Sequence, residues 1–333
     1  MPELRKDPIV NRWVIISSER GKRPKDYATP VKKANYKSCP FCEGNEQMTP
    51  PEIMAYRKNS PDSPGWTLRV VPNKYPALSD EGGMAQGTEG LNEKMNGIGT
   101  HEVVIESPDH NTELELLPQT QFVSSLEAFR ERVLALKINN RFRYILIFKN
   151  QGESAGASLE HTHTQLIALP IVPEVVSEEI TGCKKYYEKK ERCIYCDLIV
   201  QELEDGRRIV CQNEHFVTLV PYAPRFPYEM WLLPRQHSAR FEECETSRLN
   251  ALASLFKESL LRMRTVLNVP PYNFVIHTAP VNGNHFDYYH WHIEIMPKIT
   301  KMAGFEQGTG YYINPVVPEE SAKILREAQI QDS

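Results

Sequence analysis

HTHTQLIALP (161–170) and HWHIEIMP (290–297) share one form: a His, any residue, a second His, then an apolar run closed by Pro. Side chains alternate across a strand, so His161, His163 and Gln165 lie on one face. Moving outward from these two stretches, the same features recur in the same order. An apolar strand-like run precedes each, FRYILIFKN (142–150) and YNFVIHTAP (272–280). Before that comes a helix: Phe122, Leu126, Phe129, Val133 and Leu136 recur at helical spacing, and the second copy predicts a helix over about 246 to 267. Further upstream stand THEVVIESPDH (100–110) and YEMWLLPRQH (228–237), then LRVVPNKYP (68–76) and HFVTLVPYAP (215–224). A CxxC pair heads each copy, Cys39 with Cys42 and Cys193 with Cys196. Eight residues separate Glu102 from His110, and eight separate Glu229 from His237. Six features matched in one order predict a tandem duplication, with one unit over 1–182 and a second over 183–333. Each unit reads as strands, one long helix and two more strands, without βαβ alternation, which predicts an α+β fold with antiparallel sheets. The first copy is longer mainly through SDEGGMAQGTEGLNEKMNGIG (79–99), whose six glycines predict a long mobile loop.

Composition narrows the function classes. The 333 residues carry 39 Lys and Arg against 43 Asp and Glu, a formal net charge of −4, so no broad polybasic surface is available for nucleic acid. The first residues, MPELRKDPIV, are charged where a signal peptide needs an apolar run. No stretch approaches the roughly 18 apolar residues of a membrane span, so the expected location is the cytoplasm. No GxGxxG or Walker-type glycine loop opens a helix, which excludes the common Rossmann and P-loop nucleotide sites.

Two thiolates two residues apart plus two distant imidazoles make a closed tetrahedral zinc set. Cys39, Cys42, His110 and His161 form the first expected set, and Cys193, Cys196, His237 and His290 form the second through the repeat. With every coordination position taken by protein, such sites are structural. Glu179, His277, His290 and His292 offer a rival for the second metal. His215, His285, Cys183, Cys211 and Cys244 have no partner in the repeat and are expected to be uninvolved.

With His161 held by metal, His163 is left free and oriented toward a pocket. A neutral imidazole is a competent nucleophile toward phosphorus, and Gln165 can donate its amide N–H to a phosphate oxygen without offering a proton or a base. The stretch NQGESAGAS (150–158) is expected to present backbone N–H groups to phosphate. Two other classes fit parts of this pattern: a nucleoside-phosphate hydrolase, and a zinc-dependent interaction protein without catalysis.

HTHTQ after NQGESAGAS, with CPFC and SPDH upstream, resembles the galactose-1-phosphate uridylyltransferases of the histidine triad superfamily. The likeness runs from ERGKRP (19–24) through NKYPAL (73–78) to HWHIEIMP. It implies two histidine-triad-like motifs joined in one protomer, commonly a homodimer. By the same resemblance His163 becomes covalently nucleotidylated and Gln165 steadies that intermediate. Arg20, Arg23, Asn73, Asn150, Gly156 and Ser158 fall where the family contacts the nucleotide or its phosphates. The implied reaction is ping-pong transfer of UMP from UDP-glucose to galactose 1-phosphate. A plant-type relative, with a similar second CxxC site, implies ADP-glucose phosphorylase as the alternative. Thr162 stands where the better-known family signature has Pro, a change expected to matter little on a strand. The stretch AGFEQGTGYYINP (303–315) lacks the Lys, Tyr and Glu pattern that holds the sugar phosphate in bacterial members.

Overall fold

A computed structural model describes residues 2–17, 39–283 and 286–330. Its strands in chain order are β1 (Glu3–Lys6), β2 (Trp13–Ile16), β3 (Met54–Tyr56), β4 (Leu68–Pro72), β5 (Gln86–Glu89), β6 (Asn92–Met95), β7 (Thr100–Ile105), β8 (Tyr144–Gln151), β9 (His163–Leu169), β10 (Ile209–Gln212), β11 (Phe216–Leu219), β12 (Met230–Pro234), β13 (Tyr272–His277), β14 (His292–Pro297) and β15 (Tyr312–Asn314). The α-helices are α1 (Gln119–Leu136), α2 (Glu174–Lys190), α3 (Ile194–Asp205), α4 (Thr246–Leu267), α5 (Gly304–Thr309) and α6 (Pro318–Glu327). The fold is α+β.

Ten strands form one antiparallel sheet in the order β10-β11-β12-β14-β13-β8-β9-β7-β4-β3. Each half contributes five neighbouring strands, and the halves meet where β13 pairs with β8. The sheet is therefore continuous across the repeat, which no single copy's pattern contains. Strand alternation gives it two different faces. Leu68, Val70, Val104, Ile145, Ile147 and Leu166 point to one face with Phe274, Ile276, Ile293 and Ile295, where α1 and α4 cover them. Phe122 of α1 and Phe256 of α4 meet edge to face at 5.5 Å, and Phe256 meets Phe274 of the sheet at 5.2 Å. The five apolar positions predicted for the first helix are all buried in α1.

On the other face, Val71, Val103 and Ile105 gather around Cys39, Phe41 and Trp66. In the second half, Val217, Leu219, Trp231 and Leu233 pack on that face with residues of α2 and α3. α2 crosses from the first unit into the second and α3 carries Cys196 at the head of the second copy; neither helix belongs to the repeat pattern. Gly182 of α2 is needed for close approach: a Cβ there would overlap the carbonyl oxygen of Ile9. A second sheet, β1-β2-β15, joins the two ends of the described chain, and its β2–β15 pair is parallel.

The segment 79–99 differs from the expected loop. Residues Gln86–Glu89 pair with Asn92–Met95 in an exposed hairpin, turned at Gly90 with φ of 64°. Gly90 supplies the positive φ that a two-residue hairpin turn requires.

Candidate active site

His163 opens β9 at the point where two strands part. The ladder between β8 and β9 ends at the pair Phe148–Gln165, whereas β7 follows β9 one turn of the pleat further, to Ile105–His163. The His163 ring is fixed by its Nδ1, which donates to the carbonyl oxygen of His161 at 2.7 Å. The proton on Nδ1 leaves the Nε2 lone pair available, and among the described residues Nε2 has no hydrogen-bond partner. Phe41 packs its ring against the imidazole at 5.2 Å. Burial, and after it the charge of Lys149, hold the His163 pKa down at about 4, so the ring is neutral near pH 7.

Gln165 lies two residues on and is held by His101 of β7, a residue that the sequence pattern did not single out. The Ala77 amide lies 3.4 Å from His101 Nδ1 and places the ring proton on Nε2, which donates to Gln165 Oε1 at 2.8 Å. Burial lowers the His101 pKa, keeping one nitrogen free to accept. With its oxygen occupied, Gln165 presents its amide N–H groups elsewhere. Asn73 Nδ2 also lies 3.2 Å from His101 Nε2, and its Oδ1 accepts the Tyr75 amide at 2.9 Å. A nitrogen that donates to Gln165 cannot accept from Asn73, so the shorter contact decides and the Asn73 amide remains available.

Three amides of the turn after β8 are used within the turn itself. The amides of Ala155, Gly156 and Ala157 donate to the carbonyls of Gly152, Glu153 and Gly152 respectively. Those donors close the turn and do not point outward. Gly152 and Gly156 adopt φ of 82° and 90°, which explains both glycines. The exposed Ser158 follows the turn. Asn150 is oriented from the other half of the molecule: Asn273 of β13 donates to its Oδ1 at 2.8 Å and to the Ala155 carbonyl at 2.8 Å. Gly156 faces the Asn150 amide nitrogen, 3.7 Å from where a Cβ would stand. Asn273 was not visible as a site residue because it belongs to the second copy. Arg20, Arg23 and His285 lie outside the described residues.

The Cys and His residues assemble as their spacing predicted. Cys39, Cys42, His110 and His161 bring one ligand atom each to within 4.8 Å of one another, and so do Cys193, Cys196, His237 and His290. Both groups can hold a metal ion. His161 and His290 turn Nδ1 toward the sulfurs, and their Nε2 atoms donate to the carbonyls of Ser107 at 2.7 Å and Pro234 at 2.9 Å. The rival set is divided: His290 joins the cysteines, while Glu179, His277 and His292 form a third, fully buried group. There Glu179 accepts from His277 Nδ1 and from the Tyr289 hydroxyl, each at 2.9 Å.

Comparison with known proteins places this arrangement. A family model described as galactose-1-phosphate uridyl transferase, N-terminal domain, matches residues 1–173, and one described as a domain of unknown function matches residues 124–331. ADP-glucose phosphorylase of Arabidopsis thaliana is 41% identical over 99% of this chain and 93% of that protein. Galactose-1-phosphate uridylyltransferase of Thermotoga maritima is 33% identical over 99% of this chain and 100% of that protein. Among solved structures, the Arabidopsis thaliana ADP-glucose phosphorylase with bound ADP-glucose superposes with a TM-score of 0.85 at 37% identity, covering 99% of this chain and 100% of that one. A uridylyltransferase structure superposes with a TM-score of 0.76 at 27% identity, covering 98% and 97%. The chain belongs to the galactose-1-phosphate uridylyltransferase family, and it is an enzyme that transfers nucleotidyl groups.

Proposed function

We propose that this enzyme transfers a nucleoside monophosphate through a covalent His163 adduct, with ADP-glucose as donor and orthophosphate as acceptor. The free, neutral Nε2 of His163, its proton parked on the far nitrogen, is the observation that carries the covalent step. Nε2 attacks the α-phosphorus; the N–P bond forms as the bridging P–O bond breaks, and glucose 1-phosphate leaves with the electron pair. The proton stays on Nδ1, hydrogen-bonded to the His161 carbonyl, which stabilises the positive charge that builds on the ring. Gln165 donates to a non-bridging oxygen and, unlike a third histidine, supplies no general acid or base to water. Phosphate then attacks the same phosphorus from the opposite direction, restoring the imidazole and giving ADP. Asn73, Asn150, Gly156 and Ser158 are read as nucleotide contacts, and Arg20 and Arg23 keep that assignment from sequence.

The two Cys and His groups suit zinc. Tetrahedral zinc with Zn–S of about 2.3 Å and Zn–N of about 2.0–2.1 Å sets sulfur and nitrogen about 3.6 Å apart. The separations here are 3.3, 3.7 and 3.7 Å in the first group and 3.4 and 3.6 Å in the second. Zinc in the first group would anchor the backbone two residues before His163; it would supply structure and not chemistry. Seven free cysteines suit a reducing cytoplasm, and among the described residues no helix is long and apolar enough to cross a membrane. We read 1–182 and 183–333 as the duplicated units, and the assembly as a homodimer.

The donor and acceptor rest on relatedness: identity to the named phosphorylase is 41%, against 33% to the named uridylyltransferase. The departure at 303–315 from the sugar-phosphate pattern points the same way. Uridylyl transfer from UDP-glucose to galactose 1-phosphate is the second reading, favoured by the family model over 1–173. Rates for phosphate and for galactose 1-phosphate, each against ADP-glucose and UDP-glucose, separate them. The proposal predicts the highest kcat/KM for ADP-glucose with phosphate. A tenfold preference for UDP-glucose with galactose 1-phosphate, about 1.4 kcal/mol in transition-state binding, overturns it in favour of the second.

A further inference from the structure

Behind the catalytic strand, on the face covered by α1 and α4, lies a wholly buried set of polar side chains: Glu106, Lys149, Thr162 and Thr164 are each 0–1% exposed. Lys149 Nζ donates to Glu106 Oε2 at 2.6 Å, to Thr162 Oγ1 at 2.9 Å and to the His163 carbonyl at 2.8 Å. Both threonine hydroxyls donate to the Glu106 carboxylate. The His163 carbonyl and the side chains on either side of it are thereby tied together.

The repeat supplies an internal control. In the second half, the pair Ile276–Ile293 corresponds to the positions of Lys149 and Thr164, Trp291 stands at Thr162, and the position of Glu106 falls at Leu233–Pro234, just past the last β12–β14 pair, counting along the sheet from the pairs Val104–Thr164 and Leu232–Ile293. All of these are apolar, and Ile276, Trp291 and Ile293 belong to the hydrophobic core. The fold therefore does not need ions there, and burying an ion pair where apolar residues suffice sacrifices stability. What differs is the backbone. In the second half the β13–β14 ladder continues through Ile276–Ile293 to His277–His292, so His292, the counterpart of His163, is held by strand pairing. In the first half the corresponding β8–β9 ladder stops at Phe148–Gln165; His163 keeps its β7 partner Ile105, and Lys149 bonds the His163 carbonyl on the β8 side, where the pairing is missing.

We infer that Glu106, Lys149, Thr162 and Thr164 form a positioning network that replaces the missing β8 pairing and aims His163 at phosphorus. This deepens the proposed function and rests on its histidine adduct. It also assigns a role to Thr162, which the sequence alone gave none. The network touches no substrate, so its loss should slow chemistry without weakening binding. The test uses the full chain with Thr162→Val and Thr164→Val singly and together, the isosteric serine-free loss of each hydroxyl bond, and with Thr162→Ser/Thr164→Ser as rescue. Quenched single-turnover labelling by α-labelled ADP-glucose and by α-labelled UDP-glucose is read beside steady-state kcat, KM and thermal melting. The valine pair should lower the labelling rate and kcat at least tenfold with KM within twofold, and the serine pair should restore both to within threefold. A folded valine pair with kcat within twofold of wild type overturns the inference, as does a loss that serine does not restore. Valine variants that all fail to fold while the serine pair folds also overturn it, since they assign the network to stability. Absence of label on the wild type with either donor refutes the adduct instead, so the two failures are distinguishable.

Discussion

Replacing His101 by Phe isolates the contribution of one hydrogen bond that reaches the phosphate only through Gln165. The ring volume is kept and the site is 9% exposed, so the fold should survive. What is lost is the 2.8 Å bond from Nε2 to Gln165 Oε1, together with the longer 3.4 Å contact of the Ala77 amide with Nδ1. A glutamine released from its anchor regains rotamer freedom that costs about 1–2 kcal/mol to remove again. If that cost falls on the transition state, nucleotidylation slows by about 5- to 30-fold. Gln165→Leu removes the donor itself and should cost about 100- to 1,000-fold, the usual effect of deleting one oxyanion donor. Rapid-quench formation of the labelled adduct compares the two directly. His101→Phe within twofold of wild type would refute the orienting role. A loss as large as that of Gln165→Leu would also refute it, because His101 would then act on the substrate and not through the glutamine.

Three other outcomes follow from the structure. Metal analysis of the purified protein should find two zinc ions per chain; Cys193→Ser should lose one and at least about 3 kcal/mol of stability, about 4 °C in Tm, whereas full metal content would move the second ion to Glu179, His277 and His292. Glu319 accepts from Arg5 at 2.9 Å and Arg208 at 2.7 Å; burial pushes its carboxyl up, but these bonds outweigh it and hold the pKa down at about 2, against an ordinary 4.5. A depressed folded-state pKa gives stability that is present above pH 4.5 and is lost as pH falls toward 2, so Glu319→Gln should flatten acid unfolding in that window, and an unchanged acid profile would contradict it. Asn273→Ala should raise KM for the nucleotide sugar several-fold by releasing Asn150, a change absent if Asn150 does not touch the nucleotide.

The parts legible in the sequence were those written in short periodicities. Alternation fixed β9 and β14, helical spacing fixed α1, and the CxxC and His intervals assembled two four-residue groups although His161 lies 122 residues from Cys39. Contacts made between strands were not legible. His101, Asn273, Glu106 and Lys149 act on residues of β8 and β9 from neighbouring strands, and nothing in their own segments marks them, because register is set by the whole sheet. The stretch after β8 was read as a phosphate-binding turn; Gly152 and Gly156 serve positive φ there, and the amides of Ala155, Gly156 and Ala157 bond to the turn's own carbonyls. The sheet linking β1, β2 and β15 escaped because its strands have three or four residues and pair across nearly the whole chain.

The central claim is that His163 carries the nucleotidyl group. Wild-type enzyme and His163→Ala, each quenched after one turnover with α-labelled ADP-glucose and with α-labelled UDP-glucose, should differ in one respect: stoichiometric, acid-labile label on the wild type and none on the folded, metal-replete variant. Turnover by the wild type without bound label, or label retained by His163→Ala, would contradict it.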